Sequence, residues 1–310
     1  MSEAVRLGMG SEFDIVRAML ERWGEVASGI GDDAAILAAP KTGQLVVSTD
    51  TSVENVHFRR AWLTPREIGY RAAAAALSDL AAMAARPLGL LLALSFPPDW
   101  LRDILEVASG IGEAVQFGGT RIIGGDLSEA AELVVGATVL GSANHPLSRS
   151  GAHPDDIIYV TGTFGGPLAA LESWNAGREP VAECRARFAH PVPRLAEARW
   201  LAHHGASACI DVSDGIAGDL DHMAHASGVR INIDASLVPR LAASTVMDAL
   251  RSGEEYELAV AAPTGMDTSS FEREFGIPLT AVGRVKSGEP GVDVYADGER
   301  VADLKGYSHF

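Results

Sequence analysis

Residues 71–100 read RAAAAALSDLAAMAARPLGLLLALSFPPDW. The first fifteen are almost all small and apolar. Thr64 stands ahead of them as an N-cap, with Pro65 at the first helical position, so the pattern predicts a helix over 65–85. A helix of that composition is buried nearly all round. Small residues also allow close helix–sheet packing. Leu88–Phe96 is then a buried strand, bounded by Pro87 and by Pro97–Pro98. Inside this apolar frame stands one carboxylate, Asp79, where helix propensity disfavours it.

Working outward, Ser11–Trp23 reads as a helix with Ser11 as N-cap and Phe13, Val16 and Leu20 on one face. Gln44–Ser48 reads as a short strand running into a Thr49–Asp50–Thr51 turn. A helix is expected over about Asp99–Phe117. Thr120–Ile123 reads as a strand ending at a Gly124–Gly125–Asp126 turn, and Leu133–Leu140 as the strand that closes the first domain. Ser142–Gly151 is rich in turn formers, which divides the chain into domains 1–143 and 144–310. The second domain opens with strand Ile157–Thr161 and a glycine-rich turn from Gly162. A helix is expected over Pro191–His203. Ser207–Val212 reads as a strand entering Ser213–Asp214–Gly215, with a helix behind it. Ile231–Ile233, Tyr256–Ala262, Ala281–Val285 and Val292–Ala296 read as further strands. Asp297–Gly298 carries a type I′ hairpin signal.

The length of 310 residues suits two domains, and 47% hydrophobic residues suffice for their cores. The net charge is −16, which excludes the basic footprint that nucleic acid requires. The two cysteines, Cys184 and Cys209, lack CxxC partners and suit a reducing interior. No apolar signal core opens the chain, and no apolar run is long enough for a bilayer. A soluble cytoplasmic protein, with no membrane or nucleic-acid partner, is expected.

Seven aspartates sit beside apolar stretches among small residues: Asp32 and Asp33 in GIGDDAA, Asp50 in STDTS, Asp79 in LSDLA, Asp126 in GGDLS, and Asp211 and Asp214 in DVSDG. Carboxylates at the ends of buried strands are costly unless paired, hydrogen-bonded or bound to metal. Each motif alone is weak: GIGDD reads equally as a turn, and Asp79 has the alternative of a surface residue on a partly exposed alanine face. Together they point to hard cations. Mg²⁺ takes one or two carboxylates and fills its octahedron with water and substrate phosphates, so several ions need several scattered aspartates. The threonines around Asp50 supply hydroxyls to such a shell. The DVSDG strand-to-helix turn offers N–H groups and a dipole to anions. The Gly124–Gly125 pair lets backbone approach a ligand. There is no GxxxxGK[ST], GxGxxG, GxSxG or HExxH motif and no protein-kinase set, so phosphate binding rests on metal ions. Arg149, in LSRSG at the domain junction, is a candidate phosphate ligand or a solvated linker residue. His57 stands near Asp50. Glu254, Glu255 and Glu257 in SGEEYEL divide between outward and inward positions. The remaining histidines form no metal spacing.

In this order the motifs resemble the thiamine-monophosphate kinase family of the aminoimidazole-ribotide-synthetase-like superfamily. The resemblance runs from SEFDIV through GIGDDAA, STDTSVENVHF, LSDLAAMAARP, GGD, RSGAHPDD, YVTGTFG, DVSDGIAGDL and SGEEYEL to KGYSHF. It implies the two-domain PurM-like fold, an α/β domain followed by an α+β domain, dimerising through the first domain's sheet. It implies Asp32, Asp33, Asp50, Asp79, Asp126, Asp211 and Asp214 as magnesium ligands, with Ser48 and Thr49 contributing to the shell. It places Gly125, Asp126, Arg149 and Ser213 against ATP and His57, Glu254 and Leu304 against thiamine monophosphate. Asp50, Asp126, Asp214 and Arg149 are then the residues that carry the reaction. Four positions depart from the family pattern. Leu127 follows GGD where threonine is common. Asp155 replaces the glycine of a PGD turn, and Glu255 an aspartate. Leu304 stands where an aromatic is expected to stack on thiamine.

The implied reaction moves the ATP γ-phosphoryl to the phosphate of thiamine monophosphate, giving thiamine diphosphate and ADP. The nucleophile is already anionic, since a phosphomonoester's second pKa is about 6, so no general base is needed. Several Mg²⁺ ions would neutralise the polyanions and align them in line. The alternatives are another ATP-dependent member of the superfamily or a non-catalytic magnesium- or nucleotide-binding paralogue. Selenophosphate synthetases carry a reactive cysteine near the N-terminus, and the hydrogenase-maturation members end in one. This chain has no cysteine before Cys184 and ends in Phe310.

Overall fold

The computed structural model describes residues 10–27, 30, 34–301 and 304. Its contacts divide the chain into Met1–Leu80 with Ala85–Asn144, and Ala81–Ala84 with His145–Phe310.

In the first unit, α1 (Ser11–Trp23) has Gly10, not Ser11, at its N-cap position, and that cap makes no side-chain hydrogen bond. Trp23 anchors the helix by donating its indole N–H to the Ala108 carbonyl at 2.6 Å. Strand β1 (Gln44–Val53) precedes α2 (Pro65–Ala82), the alanine-rich helix. Thr64 caps α2 reciprocally. Its N–H donates to Glu67 Oε2 at 2.8 Å, and the Glu67 N–H donates to Thr64 Oγ1 at 3.3 Å. Such a cap contributes about 1 kcal/mol. Ala72 to Leu77 are all buried, as the composition requires. Strand β2 (Arg86–Phe96) follows, then α3 (Ile104–Phe117). The helix expected from Asp99 is broken at Asp103, which separates a 3₁₀ turn over Pro98–Arg102 from α3. Helices α2 and α3 cross backbone to backbone. A Cβ on Gly69 would lie 1.9 Å from the Val107 carbonyl oxygen, and one on Gly110 only 1.8 Å from that of Arg66. Only glycine permits this approach.

Strands β3 (Ile122–Glu129) and β4 (Val134–Ala143) complete a sheet of order β1-β4-β2-β3, in which β2 and β3 run parallel and the other pairs antiparallel. Alternation along the strands separates two faces. Leu90, Leu92, Leu94, Val135, Ala137 and Val139 are buried on one, where Gly141 also meets Leu80 of α2. The opposite face carries Leu45 and Val47, which are 54% and 55% exposed.

The second unit runs β5 (Ile157–Thr161), α4 (Gly166–Asn175), α5 (Ala182–Ala189), α6 (Leu195–His203), β6 (Ala208–Asp211), α7 (Ile216–Ser227) and β7 (Arg230–Asp234). It continues with α8 (Val246–Arg251), β8 (Leu258–Ala262), α9 (Thr268–Phe275), β9 (Leu279–Lys286), β10 (Gly291–Ala296) and β11 (Glu299–Val301). The sheet order is β11-β10-β7-β9-β5-β8-β6. Its core gathers Ile158, Val160, Ile210, Ile231, Ile233 and Val282 against Leu220, Met223 and Ala224 of α7. The β10–β11 hairpin turns at Asp297 and Gly298, with φ of 52° and 82°, the left-handed pair that a type I′ turn demands. Helix α6 begins four residues later than Pro191, at Leu195.

Candidate functional site

In the first unit the site residues lie on strands rather than turns. Thr49, Asp50 and Thr51 belong to β1, paired with Thr138, Ala137 and Gly136 of β4. The expected turn after Ser48 is therefore replaced by five further residues of strand. Gly124, Gly125 and Asp126 likewise lie within β3, paired with Leu91, Leu92 and Ala93 of β2. The Gly125 requirement is structural. A Cβ there would lie 2.1 Å from the Leu92 carbonyl oxygen, so the neighbouring strand, and not a ligand, demands glycine.

Period-two alternation then assigns faces. Ser48, Asp50 and Ser52 share the helix-covered face with Ala137 and Leu92. Asp79 of α2 meets them there, accepting the Ser48 hydroxyl at 2.5 Å. The Asp50 Oδ1 accepts the Thr51 N–H at 2.7 Å. Asp126 shares its row with Ala93, Gly136 and Thr51, on the open face. There Thr49 and Thr138 bring their hydroxyls to 3.0 Å. Asp50 and Asp126 thus stand on opposite faces and on opposite edge strands of the sheet, about 14 Å apart at interstrand spacing. His57 accepts the Val53 N–H on Nδ1 at 3.1 Å, which places its proton on Nε2. Leu127 lies beside Leu94. Asp32 and Asp33 lie outside the described residues, as do Lys305 to Phe310.

In the second unit, the C-terminal ends of β5 and β6 and the N-terminal end of β8 lie at the same end of neighbouring strands. Asp211 closes β6 and is buried. Ser213 and Asp214 follow in the turn before α7. Its N–H groups are not free for an anion. Those of Ser213, Asp214 and Gly215 all donate to Asp219 Oδ2, at 3.1, 3.0 and 3.1 Å. Burial pushes the Asp219 pKa up to about 7; the N–H donors oppose that, while the Asp211 and Asp214 charges add to it. Asp219 was legible only as an acidic residue in the first turn of α7.

The SGEEYEL loop closes over this turn. The Glu254 N–H donates to the Ser213 carbonyl at 2.7 Å, and the Tyr256 N–H to that of Val212 at 2.9 Å. Ser213 and Glu254 are therefore neighbours. Glu254 and Tyr256 both adopt left-handed backbone, with φ of 60° and 54°, a strain that non-glycine residues tolerate only when surroundings enforce it. The Tyr256 hydroxyl donates to Glu254 Oε2 at 2.8 Å.

Glu255 and Glu257 point inward and are 1% and 0% exposed. Arg194 donates to Glu257 through Nε at 2.8 Å and Nη2 at 2.5 Å. Thr161 donates to it at 2.7 Å. Burial raises the Glu257 pKa, but Arg194 and Arg187 outweigh it and hold the carboxyl below the ordinary range. Glu255 accepts the Gly165 N–H at 2.5 Å and Arg187 Nη2 at 3.2 Å. There burial wins, and the pKa is pushed up to about 7. Neither arginine has a sequence signal beyond its proximity to the HPVP segment.

Arg149 is exposed, its carbonyl accepting the Ser227 hydroxyl at 3.1 Å. Leu304 lies partly buried against the core of its unit. Asp155 occupies a left-handed position, φ 76°, where the family pattern has glycine. Among the described residues no three His, Cys, Asp or Glu side chains form a ready-made metal cage. The donors are nevertheless all hard oxygens, Ser48, Asp50 and Asp79 in one unit and Asp211 and Asp214 in the other. That chemistry fits Mg²⁺, which completes its shell with water and phosphate. No helix among the described residues is long and apolar enough to cross a membrane.

Residues 31–143 match the model of the AIR synthase related protein N-terminal domain, and 153–295 that of its C-terminal domain. The thiamine-monophosphate kinase of Salmonella typhimurium is 34% identical over 307 residues, covering 92% of this chain and 93% of that protein. The crystal structure of thiamine-monophosphate kinase from Stenotrophomonas maltophilia superposes with a TM-score of 0.81 at 33% identity, covering 95% of this chain and 98% of that one. The AaThiL complex with AMPPCP and TMP superposes with a TM-score of 0.77 at 27% identity, covering both chains completely.

Proposed function

We infer that this chain, which belongs to the thiamine-monophosphate kinase family of AIR synthase related proteins, transfers the γ-phosphoryl of ATP to thiamine monophosphate, giving thiamine diphosphate and ADP. The observation that carries the reading is the match to a thiamine-monophosphate kinase at 34% identity over 92% of the chain, spanning both domains.

The chain's own residues have limited chemistry to perform. The acceptor phosphate is an anion near neutral pH, its second pKa being about 6, so no side chain need remove a proton. The task is orientation and charge neutralisation. Asp50 and Asp79 with Ser48, and Asp211 with Asp214, would hold magnesium in their respective units. When bound, magnesium neutralises the phosphates and stabilises charge in a loose transition state. Asp126 on the open face, with Gly125 beside it, is assigned to the ATP–magnesium side, as are Ser213 and the exposed Arg149. Glu254 and His57 are assigned to thiamine monophosphate. Leu304 offers apolar contact in place of an aromatic ring.

The open sheet face of the first unit, with exposed Leu45 and Val47, supports pairing with a second copy. A cytoplasmic homodimer is the corresponding assembly.

The test is direct. The purified chain is incubated with ATP, Mg²⁺ and thiamine monophosphate, and products are separated by chromatography. Thiamine diphosphate and ADP are expected in equal amounts, with no turnover when thiamine replaces thiamine monophosphate. ATP consumption without thiamine diphosphate would overturn the assignment.

A further inference from the structure

We propose that Arg187 is a positioning residue for the substrate: it grips Glu255 and Glu257 from below and thereby fixes the left-handed turn that presents Glu254. The inference rests on the kinase reading of this site, and specifically on the assignment of Glu254 to thiamine monophosphate.

The turn is strained at two non-glycine residues, Glu254 and Tyr256. Its two backbone bonds to Val212 and Ser213 hold its upper side. From below it is held by Glu255 and Glu257, whose side chains are buried while Glu254 stays half-buried. Arg187 is where these ties meet. Its Nη2 lies 2.9 Å from Glu257 Oε1, 3.2 Å from Glu255 Oε2 and 3.2 Å from the Thr163 carbonyl oxygen. The same Glu255 takes the Gly165 N–H. One guanidinium therefore joins the loop after β5 to the loop before β8, and the latter is bonded to the turn after β6. The arginine is itself anchored. Its neighbour Phe188 packs edge-on against Trp174 of α4, with ring centroids 5.4 Å apart.

A purely stabilising role accounts poorly for this arrangement. Buried ion pairs contribute little net stability compared with apolar packing of similar volume, because desolvation offsets their attraction. What a guanidinium supplies that an apolar side chain cannot is a buried charged donor held in one place: its Nη2 alone reaches both carboxylates and the Thr163 carbonyl oxygen. Arg187 Nε, buried and without a hydrogen-bond partner, shows that the side chain is placed for its Nη2 contacts at some cost to itself.

The test compares steady-state constants of the wild type, R187K and R187M/E255Q, each checked for folding by thermal unfolding. R187K keeps the charge but takes the donor away from the position of Nη2. R187M/E255Q removes both charges together and leaves Glu257 paired with Arg194. In both, the KM for thiamine monophosphate is expected to rise about tenfold or more with a smaller change in kcat, while the KM for ATP stays within about twofold. Wild-type constants in the folded variants overturn the proposal. So does an equal rise in both KM values, or loss of folding in both variants, which would assign Arg187 to the fold alone. A wild type that makes no thiamine diphosphate removes the kinase reading itself, and this proposal with it. Active wild type with unaffected variants removes the proposal only.

Discussion

The carboxylate of Asp219 accepts the Gly215 N–H at 3.1 Å, and the same Oδ2 also takes the N–H groups of Ser213 and Asp214. The turn that joins β6 to α7 is therefore built around a carboxylate of its own chain. Its conformation is set before any ligand arrives, and Asp211 and Asp214 are held at fixed places around it.

Removing that carboxylate should be felt chiefly as lost stability. Asp219→Ala leaves three N–H donors in a buried turn without their acceptor. At roughly 1 kcal/mol each, the expected loss is about 3 kcal/mol. Asp219→Asn keeps a carbonyl oxygen of similar shape and should lose about half as much. Urea denaturation of both variants measures this. An Asp219→Ala midpoint equal to that of the wild type would mean that the turn is held by other contacts.

Asp155 offers the opposite case, a site where substitution should help. Its φ of 76° forces a side chain into the left-handed region, where a Cβ costs about 1 kcal/mol or more. Aspartate lowers that cost by local hydrogen bonding, and alanine cannot. Its ion pair to Arg284, 3.8 Å and mostly exposed, contributes little. Asp155→Gly is expected to be at least as stable as the wild type, and more stable than Asp155→Ala by about 1 kcal/mol. Melting temperatures of the pair decide it; an alanine variant as stable as the glycine variant would refute the strain.

The contrast between legible and illegible parts of this chain has a physical basis. Helix α2 and strand β2 were readable from local signals, the Thr64–Pro65 start and the Pro97–Pro98 stop; Pro87, expected to bound the strand, lies inside it, since β2 begins at Arg86. The Asp50 and Asp126 segments read as turns because threonine, glycine and aspartate favour turns. They are strands because distant residues pair with them, Ala137 with Asp50 and Ala93 with Asp126. Short helices such as α4, α5, α8 and α9 lacked a periodic signal long enough to stand out. The aspartate motifs themselves were legible as candidates, since carboxylates beside apolar strands are conspicuous. Their partition between two sheet faces was not, because it depends on register. Arg187 and Arg194 carry no local signal because their partners lie across loops, Glu257 being 63 residues from Arg194. Asp219 bonds N–H groups only four to six residues earlier, but an acidic residue in a first helical turn reads as an ordinary dipole charge.

The inward glutamates predict a pH dependence of stability. The folded pKa of Glu255, about 7, lies above its ordinary 4.5, because burial outweighs Arg187 and the hydrogen bonds from Ser252 and Gly165. The folded state therefore binds this proton more tightly than the unfolded chain. Its contribution is fully present below 4.5 and is lost as the pH rises toward about 7. Glu257, held below the ordinary range, works the other way: its contribution is present above 4.5 and fades as the pH falls through its lowered value. Between about pH 5 and about pH 7 Glu255 and Asp219, whose folded pKa is also about 7, both lose their contribution, each with a slope of up to about 1.4 kcal/mol per pH unit, so the comparison with a Glu255 variant isolates its share. Glu255→Gln should abolish that component. Urea unfolding of wild type and variant at about pH 5 and about pH 8 tests it, with the variant's relative stability expected to improve at the higher pH. A difference that is the same at both pH values would show that Glu255 is ionised throughout.

Asp50 and Asp126 provide the last test, because their geometry separates folding from chemistry. Asp126 is exposed on the open face of an edge strand, so Asp126→Ala should leave the unfolding midpoint within about 0.5 kcal/mol of wild type. Asp50→Ala loses the hydrogen bond to Thr51 and should cost about 1 kcal/mol. Neither change is large enough to unfold a chain with cores of this size. Turnover should nevertheless fall by on the order of a hundredfold or more in each. The two carboxylates of one protomer lie on opposite sheet faces, on edge strands whose backbones are about 14 Å apart at interstrand spacing, too far to bind one ion together. Each variant should therefore shift the magnesium dependence of whatever rate remains, and the two shifts should be independent. A folded variant of either residue that turns over normally, with an unchanged magnesium requirement, would strike that aspartate from the metal-binding set.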